Sequence, residues 1–333
     1  MSDAPATIRR TTMKAIVHER YGRPDVLALR EVPAPAPEDD QVLVRVRASS
    51  VNPVEWYGVT GPVFARPGGG LRRPNFAGVG ADVAGTVEAV GKDVEGLEAG
   101  DEVYGVAAGA WADFACARQE RIGPKPAKLS FAQAAAVPIA GVTALQALRD
   151  KARVERGQKV LINGASGGVG TFAVQLAKSF GATVTAVCST GNVDLVASLG
   201  ADRVVDYTRE DVTRLSDTFD VVVDIAGSRS FLELRRVLAP DATVVLVGGR
   251  MTYRGLGPIP HLLGSRLKAI GRSQKAVSFL AKVTSGDLSV LRELFEAGTI
   301  EPVIDREYPL EDAAEALAYL GEGHAKGKVV VTI

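Results

Sequence analysis

The chain has 333 residues, 46% hydrophobic and 23% charged, an ordinary globular composition with apolar material for two cores. Lys plus Arg and Asp plus Glu both number 39, so no net basic field exists to draw in nucleic acid or an anionic membrane surface. Two cysteines, Cys116 and Cys188, stand far apart and outside any CxxC, which excludes a disulfide scaffold and fits a reducing, cytoplasmic setting.

No apolar run approaches the ~20 residues of a membrane span. Residues 1–12 lack an apolar core, do not read as a secretory signal, and are expected to form a frayed tail before a first strand at 13–17. Residues 13–135 are rich in short strands and turns. The stretch 42–46 alternates apolar residues with charge, and 83–90 has the pattern of a half-buried strand. Between them, 61–74 is a Gly/Pro/Arg loop, either a site-forming lip or an excursion without structure.

From about residue 140 strands alternate with helices. Strands are predicted at 159–162, 183–187, 203–205, 220–224, 243–247 and 267–270. Between the first two, Val169, Phe172, Ala173, Leu176, Ala177 and Phe180 share one helical face. Several strands are continuously apolar, as in a parallel sheet covered by helices on both sides. The fold class is therefore α/β with a doubly wound, Rossmann-type parallel sheet. Two striped helices and a last strand at 328–333 follow, and are expected to return to the first domain. The expected division is 1–137 with 274–333 as one split domain, and 138–273 as the nucleotide-binding domain.

The stretch 163–170 reads NGASGGVG, between an apolar strand and an amphipathic helix. That context turns a weak glycine motif into a dinucleotide fingerprint. Gly164 precedes the turn, Ser166, Gly167, Gly168 and Val169 form it, and Gly170 allows close helix–strand packing. The helix N-terminus adds N–H groups and a positive dipole end for a pyrophosphate. No GK[ST] follows, so a Walker A loop is excluded. The next strand runs into Ser189, Thr190, Gly191 and Asn192, with no acid at its tip to hold an unphosphorylated ribose. Ser189, Thr190 and Asn192 are donors suited to a 2′-phosphate, which favours NADPH. The positive charge such a phosphate wants is missing from 188–192, and Arg203 on the next strand is a candidate to reach in.

With this loop go PIAGVTA at 138–144 and GADVAGTV at 80–87. Together they resemble the medium-chain dehydrogenase/reductase superfamily. Within it the sequence is similar to the zinc-independent quinone oxidoreductases, in the group of reticulon-4-interacting protein and chloroplast-envelope oxidoreductases. The resemblance spans residues 13–333. It implies a GroES-like, mostly-β catalytic domain around the Rossmann domain, an NADPH-dependent reductase, and a homodimer. It places Asn52 and Pro53 near the nicotinamide and Tyr57 facing the substrate. Thr143 falls close to the cofactor, and Ser189, Asn192 and Tyr207 in the 2′-phosphate cluster. Some members have lysine where Asn192 stands. Val247, Gly248 and Gly249 would line the nicotinamide edge. Lys328 is a candidate at the cofactor mouth, with a solvated strand end as the other reading.

Zinc alcohol dehydrogenases of the superfamily carry a Gly-His-Glu run that supplies a catalytic ligand, and a cysteine near residue 50. Here Gly80-Ala81-Asp82 and Asn52-Pro53 stand there, and His18, His261 and His324 are scattered singly, so no metal is expected. Without a Lewis acid the natural acceptor is already conjugated: a small hydrophobic quinone, enone or enal. Its oxygen needs only a hydrogen bond, from Tyr57, water or the cofactor. Tyr57 is alternatively an aromatic wall, and Trp56 and Phe64 would line the same pocket. A metal-dependent NADP alcohol or aldehyde dehydrogenase, and a cofactor-bound interaction protein with little turnover, remain as other readings.

Overall fold

The computed structural model describes residues 12–66, 70–249, 259–270 and 273–333, without the side chains of 259, 260 and 266. The tail expected at 1–12 lies outside these residues up to Thr11, and 67–69 of the long loop also lie outside. The chain begins with β1 (Thr12–Val17), β2 (Ala28–Pro33) and β3 (Gln41–Val51), then helix α1 (Pro53–Thr60). There follow β4 (Asp82–Val90), β5 (Glu102–Val106), β6 (Phe114–Arg118) and β7 (Ile122–Pro124), and helices α2 (Phe131–Ala135) and α3 (Pro138–Leu145). The alternating region runs β8 (Lys159–Asn163), α4 (Gly168–Ser179), β9 (Thr183–Cys188), α5 (Val193–Ser198), β10 (Arg203–Asp206), β11 (Phe219–Asp224), α6 (Phe231–Leu234), β12 (Leu238–Leu246), α7 (Ile259–Ala269) and β13 (Lys275–Ser278). Last come α8 (Ser285–Glu296), β14 (Ile304–Pro309), α9 (Ala313–Gly321) and β15 (Lys328–Thr332).

Strands β8 to β13 make one six-stranded sheet in the order β10-β9-β8-β11-β12-β13, every pair parallel. Chain order reverses between β8 and β11, which opens a crevice at the carboxyl ends of those two strands. The cause is in the sequence: Val160, Leu161, Ile162, Val222, Val223, Val244 and Val245 are wholly buried, so helices must cover both faces. On α4, Phe172, Ala173, Leu176 and Ala177 are wholly buried.

The second large sheet runs β14-β15-β3-β4-β5-β7, with β6 also paired to β3. Its alternating inward residues, among them Val42, Val44, Val83 and Val103, are buried to completion. Strand β15 pairs antiparallel with β3 (Val329 opposite Val51) and so closes the N-terminal sheet with residues from the far end of the sequence. Helix α8 lies between the sheets: Phe295 packs edge-on against Phe172 at 6.4 Å, and Tyr104 Oη of β5 donates to Leu288 O at 2.6 Å.

Two expectations are corrected. Residues 267–270 are not a strand, because 259–269 form α7, in which Leu262 and Ala269 pack inward and Leu263 and Leu267 face outward. A short apolar run fits either period, and the helical one wins here. The sixth strand is instead Lys275–Ser278, so the parallel sheet extends past residue 273. Strand β12 is flanked by β11 and β13 and leaves no free edge. Among the described residues no helix is long and apolar enough to cross a membrane.

Candidate active site

The glycine loop links β8 to α4 at the crevice. Gly164 takes φ of 91°, a left-handed conformation that glycine adopts without strain. The amides of Gly164 and Ala165 donate to Val187 O at 3.2 and 3.0 Å, which fixes the turn against β9. A Cβ on Gly170 would lie 2.1 Å from Gly164 O, so only glycine lets α4 start this close to β8. A Cβ on Gly167 meets nothing nearer than 3.8 Å. That open side, at the amino end of α4, has the form of a cradle a phosphate would fill. Ser166 O accepts from Gly327 N at 2.8 Å, so the segment before β15 is bonded directly to the loop.

At the tip of β9, Asn192 Nδ2 lies 3.1 Å from both Ser166 Oγ and Ser189 Oγ. Its Oδ1 is buried and has no partner among the described residues. Tyr207 follows β10, is 56% exposed, and its backbone amide donates to Cys188 O at 3.1 Å. Thr190 differs from expectation: its hydroxyl donates to Asp206 Oδ2 at 2.6 Å and is thereby withdrawn from any ligand. Asp206 is an acid at the neighbouring strand tip, held below the usual carboxylate range first by Thr190. Arg203 does not reach in. It begins β10, at the opposite end, and its guanidinium bonds Glu210 at 2.9 Å and Asp217 at 3.2 Å.

Across the crevice, Asn52 caps α1. Its backbone amide donates to Glu55 Oε2 at 2.7 Å, because Glu55 sits three residues on, in a capping box. The Asn52 side chain is engaged at both ends. Nδ2 donates to Asp82 Oδ2 at 2.9 Å, and Oδ1 accepts from Lys328 Nζ. Lys328 is 3% exposed and also donates to Val51 O at 3.2 Å, so it is no solvated strand end. Asp82 collects Ser50 Oγ at 2.5 Å, Ile139 N at 2.9 Å and Lys328 Nζ at 3.6 Å. Asn52, Asp82 and Lys328 thus form one buried knot from the α1 cap, β4 and β15, tied through Ile139 to α3, which carries half-exposed Thr143.

Glu55 belongs to this knot and was not foreseen. Its Oε1 is buried without a partner among the described residues. Burial first, then the Asp82 charge, pushes its carboxyl up to about 8, with Lys328 opposing. Burial lowers the Lys328 ammonium. A carboxyl raised from 4.5 to about 8 on folding stabilises the native state fully below pH 4.5 and loses that contribution as pH climbs through 8. The slope is at most ~1.4 kcal/mol per pH unit. Glu55→Gln keeps an oxygen for the cap and removes the titration. The melting temperature of the variant should gain on the wild type steadily between pH 5 and about pH 8. A constant difference across that range would show that Glu55 is already ionised at neutral pH.

The wall of the crevice is apolar. Tyr57 and Phe64 stack edge-on at 5.0 Å, and burial raises the Tyr57 phenol, which keeps its proton at neutral pH. Val54 and Leu71 are exposed nearby in sequence, 53% and 72%. Trp56 is core instead, 1% exposed against Leu310 and Leu317, and does not line a pocket. At the carboxyl ends of β11 and β12, Val247 N donates to Asp224 O at 2.9 Å, and a Cβ on Gly248 would meet Ile225 O at 2.6 Å. Gly249 lies so close that a Cβ on Gly227 would sit 2.6 Å from its Cα. Asp224 accepts from Asn163 Nδ2 at 2.7 Å and Gly227 N at 3.0 Å and pairs with His261 at 3.2 Å, which raises the imidazole. That cluster binds the strand tips to one another.

The fold and this crevice define a two-domain dehydrogenase with a dinucleotide cleft between a Rossmann sheet and a GroES-like sheet. Residues 38–147 match the alcohol dehydrogenase GroES-like domain, and 199–331 match the zinc-binding dehydrogenase domain. The 2-methylene-furan-3-one reductase of Solanum lycopersicum is 36% identical over 334 residues, 96% of this chain and 79% of that protein. The chloroplastic NADPH-dependent alkenal/one oxidoreductase of Arabidopsis thaliana is 35% identical over 96% of this chain and 79% of its own. The solved quinone oxidoreductase of Coxiella burnetii superposes with a TM-score of 0.85 at 31% identity, covering 97% of this chain and 99% of that one. The chain belongs to the medium-chain dehydrogenase/reductase superfamily, with the quinone oxidoreductases.

The zinc in the second domain's description does not fit these residues. Both oxygens of Asp82 are taken by donors, an ammonium stands beside it, and no three His, Cys, Asp or Glu converge among the described residues. A dinucleotide does fit: the loop offers an open cradle, and the orphaned Asn192 Oδ1 awaits a donor such as a ribose hydroxyl.

Proposed function

We propose that the chain reduces quinones and α,β-unsaturated carbonyl compounds with NADPH. The observation that carries this reading is the direct bond between the glycine loop and the segment before β15. It brings a phosphate cradle to within one residue of a buried lysine–carboxylate knot whose carboxylate oxygens are already taken by donors. Gly164, Ser166, Gly167, Gly168 and Val169 hold the pyrophosphate, and Ser189, Asn192 and Tyr207 the adenosine ribose. Asn52, Pro53, Thr143, Val247, Gly248, Gly249 and Lys328 surround the nicotinamide end. NADPH, when bound, supplies hydride to the conjugated acceptor.

The chain's own part is to orient and to exclude water. The Asn52 side chain is locked between Asp82 and Lys328, so the N-terminus of α1 cannot drift. Tyr57 carries a proton at neutral pH and stands on a half-buried apolar wall, suited to hydrogen-bond an acceptor oxygen as charge develops there. Tyr57→Phe should lower kcat/KM for an enone about tenfold or more and leave NADPH affinity unchanged. Turnover equal to wild type would leave Tyr57 as wall alone. The free thiols Cys116 and Cys188 support a reducing, cytoplasmic setting. The homodimer is part of the same proposal, with β13 at the outer edge of the described sheet as the pairing strand.

The test is NADPH oxidation against a panel of quinones, enones, enals and simple ketones. Reduction of the conjugated members, unchanged after dialysis against a chelator, is the expected result. Activity only on alcohols and simple aldehydes, lost on chelation, would establish a metal dehydrogenase instead. Tight NADPH binding with no turnover on any acceptor would leave a binding protein.

A further inference from the structure

The ribose corner presents a puzzle of charge. Asp206 is ionised beside it, Arg203 is engaged elsewhere, and Arg209 stands 3.5 Å from Asp206 and offsets that acid. The turn itself, from Ser189 to Asn192, carries no charge. A cation nevertheless arrives, from the other sheet. Lys326 Nζ approaches Gly191 O at 3.4 Å, across 135 positions of sequence.

This approach is anchored. Lys326 N donates to Asp305 Oδ2 at 2.9 Å, and the next residue, Gly327, donates to Ser166 O at 2.8 Å and bridges Gly167. Gly327 has φ of 89°, and a Cβ there would meet Val303 O at 2.3 Å, so the backbone path is fixed on both sides of the lysine. The root of the side chain is therefore held beside the turn.

The neutral donors point the same way. Asn192 Nδ2 is within reach of both Ser166 Oγ and Ser189 Oγ. A hydroxyl that accepts from an amide has its own proton left to give. The amide therefore turns both serines into donors toward the cleft, while its partnerless Oδ1 is an acceptor for a ribose hydroxyl. We infer that Lys326 selects the 2′-phosphorylated dinucleotide: its ammonium, with the Ser189 hydroxyl, binds the 2′-phosphate at Gly191. The inference rests on the reading that this cleft holds a nicotinamide dinucleotide. It makes cofactor choice a property of the GroES-like side of the cleft, in a chain whose Rossmann turn is neutral.

Calorimetric titration with NADP⁺, NAD⁺ and 2′,5′-ADP separates the possibilities. Lys326→Ala should weaken NADP⁺ and 2′,5′-ADP about ten- to a hundredfold, the worth of a charged phosphate contact, and shift NAD⁺ less than about threefold. Lys326→Arg should retain most of the preference. In the wild type the NADP⁺ preference should shrink with added salt, and in Lys326→Ala it should not. An unchanged NADP⁺:NAD⁺ ratio in Lys326→Ala, an equal loss for both, or a wild type without preference overturns the inference and leaves the reductase reading standing. A wild type that binds neither dinucleotide overturns both.

Discussion

Gly170→Ala should cost the protein roughly 2–3 kcal/mol or its fold, while Gly167→Ala, three residues earlier, should fold normally and lose its cofactor. The two glycines look alike in sequence and answer to different constraints. At Gly170 a methyl group would lie 2.1 Å from Gly164 O and 2.7 Å from Ala165 C, both backbone atoms that the turn onto β9 holds in place. Relief requires prising α4 from β8, in the middle of a wholly buried layer. At Gly167 the backbone is extended, φ −83°, and the methyl group would meet nothing within 3.8 Å. It would instead occupy the cradle. Chemical denaturation and NADP⁺ titration on both variants check this. A Gly167→Ala protein that binds NADP⁺ with wild-type affinity would move the pyrophosphate away from this loop.

Lys328→Met should be the most damaging substitution in the GroES-like half, at about 3–5 kcal/mol near pH 8. It deletes the ammonium that sits among Asn52, Val51 O and Asp82, and it leaves a fully buried carboxylate with no counter-charge. Adding Asp82→Asn should recover much of the loss, because its amide oxygen can still accept from Ile139 N, its NH2 can donate to Ser50 Oγ, and it needs no cation. Equal urea midpoints for wild type and Lys328→Met would mean that the buried lysine contributes nothing to stability. Recovery in the double variant would measure the pair; absence of recovery would assign the loss to packing of the lysine stem.

What could be read from the sequence divides along a physical line. The apolar strands β8, β9, β11 and β12 and the striped helix α4 were legible because burial on both faces imposes composition over a whole segment. The glycine turn was legible because Gly164 and Gly170 satisfy constraints a few residues apart. Strand β13 was not, since KAVS is short and half-buried, and the apolar residues of α7 just before it satisfied a strand pattern equally well. Nor was β14, whose residues IDREYP are mostly polar because it lies at the edge of its sheet.

The site shows the same division. Asn52, Ser166 and Asn192 were found through motifs, yet their partners were hidden by distance along the chain. Lys328 meets Asn52 across 276 positions and Asp82 meets Asn52 across 30. A lysine that begins a strand reads as solvated until the fold buries it. Glu55 carried a signal that passed unused: a capping box after Asn52-Pro53 in a strand-to-helix turn predicts an inward carboxyl. Arg203 is on the neighbouring strand but at its far end, and strand order alone does not tell which end of a strand a residue occupies.

The pairing of β15 with β3 also bears on how the molecule is born. Strand β3 is made within the first 51 residues, and its neighbour β15 appears 277 positions after Val51. On a ribosome the Rossmann sheet, whose strands follow one another closely, can close first. Until β15 emerges, β3 lacks its partner along residues 48–51, although β6 can already cover 41–45. Contacts of such long range are slow to form. The knot of Asn52, Asp82 and Lys328 therefore cannot close before β15 has been made.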